Sequence, residues 1–171
     1  MRKVLGYFLA AAAFGGLLSA ADRQSWNKIQ YIGGTPPIKA GSYDWDTTVR
    51  IRSNPDSVEL DVAPSTAFGH RQSVSLKASQ IASIVSGAGA WKRVADIPGA
   101  SLPPEPRGLF SLLNRRYMLI SRLYTFLAIL YQDDDGKPAA ILLACDSASR
   151  TVVSLGHALE ALTGKPLVYA K

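Results

Sequence analysis

The chain has 171 residues, a net charge of +6 and a pI near 9.6, with 47% hydrophobic residues and a single cysteine. That composition excludes a disordered polymer and a disulfide-stapled mini-protein. The scattered Lys and Arg lack the clustering that nucleic-acid binding uses.

Residues 1–21 read as a secretory signal peptide. Arg2 and Lys3 supply a positive start, Val4–Leu18 is an apolar run without a charge, and Ser19, Ala20 and Ala21 precede the first acid, Asp22. This order of charged, apolar and small segments predicts export with cleavage after Ala21, the neighbouring cut after Ala20 and retention as an anchor being the alternatives. A spanning helix needs about 20 apolar residues, and Gly15 and Gly16 interrupt this run near its end. The mature chain, residues 22–171, is then one domain of 150 residues with charge +4, exported to a periplasmic or secreted location. Its lone Cys145 sits in an apolar run and reads as a buried small hydrophobe.

Ile29–Ile32 alternates as a strand and is expected to stop at Gly33-Gly34-Thr35-Pro36-Pro37. Thr48–Arg52 and Ser57–Val62 alternate again around the turn Ser53-Asn54-Pro55-Asp56. Ser73–Ser79 continues the habit, with Ile81 and Ile84 extending the same element, and Trp91–Val94 reads as a further short strand. Four prolines between Ile97 and Gly108 predict an irregular surface excursion. Tyr124–Gln132 and Ala139–Cys145 are apolar strands joined by Asp133–Pro138, an Asp-Gly hairpin signal. The period then changes: Val152, Leu155, Leu159 and Leu162 recur at helical spacing after a cap at Asp146 or Ser147, and Gly164-Lys165-Pro166 ends the helix. Leu167–Ala170 has room for one short strand. The expected fold is mainly β (α+β): an antiparallel barrel or roll of about seven strands closed by one C-terminal helix near 147–163.

That element order resembles the pleckstrin-homology-like barrel, in which the helix plugs one open end. Trp26, Ile29, Tyr31, Ile32, Gly33, Gly34, Thr35 and Pro36 resemble the opening of small exported bacterial proteins common in acidobacteria, whose function is uncharacterised. The likeness continues through the core pair Ile81 and Ile84 before Gly87, the hairpin Tyr131, Asp133, Asp135 and Gly136, and the closing Leu159, Glu160, Thr163, Gly164, Lys165, Val168 and Tyr169. An extra apolar stretch around 108–121 departs from that pattern. The resemblance covers most of residues 26–171 and implies a fold without implying catalytic residues.

Chemistry-bearing candidates reduce to ordinary roles. The Asp133–Asp135 cluster has the wrong spacing for a calcium loop, since Lys137 occupies the fifth position and Ala144 the twelfth. His70 stands between Gly69 and Arg71 without a partner for general-base work, and His157 lies beside the apolar helix stripe. No serine occupies a nucleophile elbow, and Gly87-Ala88-Gly89 lacks the third glycine of a dinucleotide site. No catalytic, cofactor or metal site is expected.

One segment stands out, Leu109–Arg122. On a helix Leu109, Leu112, Leu113, Tyr117 and Ile120 share a side, with Asn114, Arg115 and Arg122 elsewhere, the pattern of a basic amphipathic helix lying in a headgroup plane. It makes a poor spanning helix, because Arg115, Arg116 and Arg122 would each cost about 2.5–3.5 kcal/mol near a membrane centre. The plain alternative packs this segment on the barrel or starts the next strand early. Leu109, Phe110, Leu113, Arg115, Arg116 and Tyr117 are the candidate contact residues. The expected function is a non-enzymatic binding module with an unknown protein or lipid partner, no nucleic acid and no cofactor. A small secreted hydrolase and a structural envelope subunit are the alternatives.

Overall fold

A computed structural model describes residues 23–38, 45–53, 55–63, 69–103, 124–148 and 150–170. The expected signal peptide and the segment 104–123 lie outside the described residues, and so do all six candidate contact residues. Eight strands form one sheet: β1 (Arg23–Gly34), β2 (Thr47–Ser53), β3 (Asp56–Val62), β4 (Gln72–Lys77), β5 (Ile81–Ser86), β6 (Tyr124–Gln132), β7 (Pro138–Asp146) and β8 (Leu167–Tyr169). Helix α1 spans Gly89–Ala95 and helix α2 spans Thr151–Thr163.

The strand order is β4-β3-β2-β1-β7-β6-β5-β8; every neighbouring pair is antiparallel except β5 and β8, which run parallel. Two corners bend this sheet into a roll. At the first, β1 changes partner: Arg23–Ile29 pairs with β2 and Ile29–Gly34 pairs with β7, so only Ile29 belongs to both ladders. A register shift between Trp26 and Ile29, with Lys28 at φ +60°, swivels the strand there. At the second, a 3-10 turn, Ala78–Gln80, joins β4 to β5. In a flat sheet those strands would lie six spacings apart, about 29 Å. The four Cα steps from Lys77 to Ile81 reach at most about 15 Å. The sheet therefore curls until its ends meet. No ladder joins β4 to β5, so of the expected barrel or roll of about seven strands the described residues form an unclosed sheet of eight, open at that corner.

The interior follows from the alternation. Val49 and Ile51, Val58, Leu60 and Val62, and Leu76 point inward from β2–β4 to meet Ile84, Leu127, Ile129, Ile141 and Leu143 from the other half. Helix α2 lays Val152, Leu155 and Leu159 on this cluster, a burial worth about 1.5–3 kcal/mol for each large side chain. Leu162, the fourth residue of the expected stripe, is partly buried against it. Outward residues of β2–β4 stay polar, and diagonal ion pairs link Arg50 to Asp61 and Arg52 to Glu59, the latter at 2.9 Å.

The outer face of β7-β6-β5 is covered as well. Ala90, Trp91 and Val94 of α1 pack with Val85, Ala128, Leu142 and Ala144, and Trp91 meets Phe126 edge-on at 5.3 Å. Strand β7 is thus buried on both sides, which explains its unbroken apolar run. Trp91–Val94 is helix and not the expected strand. Apolar residues three apart fall on opposite faces of a strand and on one face of a helix, and a single outer cluster receives both Trp91 and Val94.

Other expectations are also corrected. Strand β1 stops within Gly33–Pro37 as expected, at Gly34, but both glycines still belong to the ladder, paired with Leu142 and Ile141. Ile81 and Ile84 start a separate strand and do not extend β4. Asp146 and Ser147 do not cap α2. Asp146 is still paired to Tyr124 in the sheet, and its Oδ1 accepts from the Ala148 amide at 3.0 Å, so the chain turns first and the helix begins at Thr151. The Gly164 stop is as expected, with φ +66° and its amide donating to the Glu160 carbonyl at 2.8 Å.

Candidate functional site

The candidate contact surface, roughly 98–122, is described only at its start. There the chain is not a free excursion. Ile97, Ala100 and Leu102 pack onto the outer cluster, and Ser101 exchanges two backbone hydrogen bonds with Gly34 at 3.1 and 2.8 Å. This is the reason for the glycine pair: a Cβ at Gly33 would sit 2.2 Å from the Ser101 carbonyl oxygen, and one at Gly34 would sit 2.2 Å from that of Ala140. The glycines thus serve a close backbone approach as well as the end of the strand, two roles that use the same residue. The described residues that flank 104–123 lie on the same half of the roll: Leu102 packs on the outer cluster, and β6 begins at Tyr124.

The second surface is the polar face of β2–β4. The β2–β3 turn and the 3-10 corner wall a groove of about 500 Å³ lined by Arg52, Asp56, Ser57, Glu59, Ser75 and Lys77. The register places Arg52, Ser57 and Lys77 in one cross-strand row. Arg52 is engaged by Glu59, and the Ser57 hydroxyl donates to the Pro55 carbonyl at 3.1 Å. The groove is shallow, with both charge signs on its walls.

The residues weighed for catalysis are apart. His70 is exposed in the approach to β4, while His157 stands on α2 with Nδ1 2.8 Å from Glu160. Glu160 does more than meet the histidine: its Oε1 accepts the Leu167 amide at 2.7 Å, and that hydrogen bond, followed by His157, holds its carboxyl below the usual range. Cys145 is fully buried in the interior, and desolvation pushes its thiol up to about 12. At such a value the thiolate, the reactive form, is scarce near neutral pH.

The Asp133–Asp135 cluster forms a hairpin tip. Asp133 Oδ1 accepts the amides of Asp135 and Lys137 at 3.0 and 2.8 Å, and Lys137 reaches Asp135 at 3.1 Å. Asp134 accepts from Gln80 at 3.0 Å, tying the tip to the corner between β4 and β5. Among the described residues no three His, Cys, Asp or Glu side chains gather as metal ligands. No helix among them is long and apolar enough to cross a membrane.

One polar cluster went unread in the sequence. Tyr31 and Tyr131 are both buried; the Tyr31 hydroxyl donates to the Pro36 carbonyl at 3.3 Å, and the Tyr131 hydroxyl lies 3.4 Å from Thr35 Oγ1. Burial raises both phenols, Tyr31 to about 12. They fasten the segment after β1 over the end of the roll. Each tyrosine alternates as an ordinary inward strand residue, so only the placement of β1 and β6 on either side of β7 reveals the pair. No protein-family model matches this chain, and no curated protein matches it.

Proposed function

We propose that this protein is an exported, non-catalytic interaction module on a pleckstrin-homology-like roll, and that it meets its partner or a membrane surface through residues 109–122. What supports the fold reading is the order β4-β3-β2-β1-β7-β6-β5 with a helix after the last of these strands in sequence, α2, on the interior. What carries the functional reading is the composition of residues 109–122. Their sequence combines Leu109, Phe110, Leu113 and Tyr117 with Arg115 and Arg116, an apolar side with arginines for phosphate.

Flotation with liposomes tests this reading. The mature protein should rise with anionic vesicles and much less with zwitterionic ones, and an Arg115→Glu/Arg116→Glu variant should stay at the bottom. If neither the protein nor the 105–122 peptide associates with anionic vesicles, the membrane reading fails. Purification with one fixed protein at constant stoichiometry would replace it with the partner-chain reading.

A further inference from the structure

Strand β8 is seated on the sheet in the way a ligand peptide is seated on a receptor. It is three residues long, it is the parallel strand of the sheet, and it joins at the edge of β5. Two glycines elsewhere in the chain make room for it. A Cβ at Gly156 of α2 would lie 2.6 Å from Leu167 Cδ2, and a Cβ at Gly87 would lie 2.4 Å from the Ala170 carbonyl oxygen. Leu167 enters the interior cluster through the gap at Gly156, and Ala170 packs against the outer cluster beside α1. Between them Val168 and Tyr169 are 46% and 66% exposed and specify nothing.

Main-chain groups supply the rest of the seat. The Ala170 amide donates to the Ser86 carbonyl at 2.8 Å, and the Gly89 amide donates to the Ala170 carbonyl at 3.2 Å. Glu160 receives the Leu167 amide. A short link, Gly164-Lys165-Pro166, is all that joins the strand to α2. Such a site reads an extended backbone parallel to β5, a leucine, and a small residue three positions later. Strand addition of this kind draws affinity from main-chain hydrogen bonds and specificity from alternate side-chain sockets.

We propose that the edge of β5 is an acceptor for an extended peptide of Leu-x-x-Ala pattern, occupied in cis by residues 167–170 and opened when they release. The cis strand competes at an effective concentration in the millimolar range, and its small buried surface makes local release much easier than global unfolding. The site does not involve residues 109–122, so it and the membrane reading succeed or fail separately.

The test uses the full chain and a labelled peptide of residues 165–171. Binding to the wild type is expected to be weak. Leu167→Ala removes the cis anchor while leaving the socket, and should bind the peptide at least about tenfold more tightly, since burial of that leucine no longer holds the cis strand. Adding Gly156→Ala to that variant fills the socket and should abolish the gain. A folded Leu167→Ala protein that binds no better than wild type overturns the proposal. If that variant does not fold, amide exchange of the wild type decides. Faster exchange at Ala170 than at the amides of β6 and β7 supports the proposal, and equal exchange by global unfolding overturns it.

Discussion

Replacing Gly33 by alanine isolates one packing decision in this fold. The residue is inside β1, and its φ lies outside the left-handed region, so alanine meets no backbone strain there. What it meets is the Ser101 carbonyl oxygen 2.2 Å from the new Cβ, with Leu102 Cδ2 at 3.0 Å. The 97–102 segment must move by about 1 Å to restore van der Waals contact. Its two hydrogen bonds to Gly34 are each worth about 1 kcal/mol net, and the seating of Leu102 and Ala100 on the outer cluster loosens with them. The expected loss is about 2–4 kcal/mol, within the range seen for overpacking and lost contacts together. Gly99→Ala is the control. That glycine has φ +79° and nothing within 4 Å of a Cβ, so only the left-handed conformation is penalised, by about 1–2 kcal/mol. Urea unfolding of residues 22–171 measures both at constant m-value. Gly33→Ala costing less than Gly99→Ala would refute the claim that the glycine exists for the close approach of Ser101.

Two further outcomes follow from the same geometry. Asp133→Ala should cost about 1–2 kcal/mol by removing the acceptor for two amides, whereas Asp133→Asn should recover most of it in urea unfolding; an Asn variant as unstable as Ala would mean that the charge matters instead of the acceptor. Alkali should weaken the fold. The buried Cys145 thiol and Tyr31 phenol titrate near 12 when folded, against 9.0 and 10.0 ordinarily, so the unfolded chain releases its protons first and stability falls as pH rises from about 9 to 12, by up to about 1.4 kcal/mol per pH unit for each group. Urea midpoints from pH 8 to 11 check this, and a Cys145→Ala variant with an unchanged slope would remove the thiol from the account.

Residues whose environment is local could be read directly. The β2–β3 and β6–β7 turns close where expected, with Ser53 opposite Asp56 and Gln132 opposite Pro138, because proline, Asp and Gly act on neighbouring dihedrals. Leu155 and Leu159 lie on the buried side of α2 because helical spacing alone puts them there. The cap of α2 and the state of Trp91–Val94 were misread for the opposite reason. Pairing of Asp146 with Tyr124 and burial of Trp91 against Phe126 come from distant chain. The candidate segment 109–122 remains a sequence pattern, and its test is chemical.

By itself the sequence determined which strand residues face inward, where the turns fall, and that β6 and β7 differ from β2–β4 by being apolar throughout. Those are properties of period and of single residues. Only the tertiary structure decided that the alternating strands border solvent on one face while β7 has cover on both. It also decided that Gly33, Gly87 and Gly156 are places where other backbone or side chains come close. A glycine records that something needs room or rotation, and the neighbour that needs it is fixed by which strands meet.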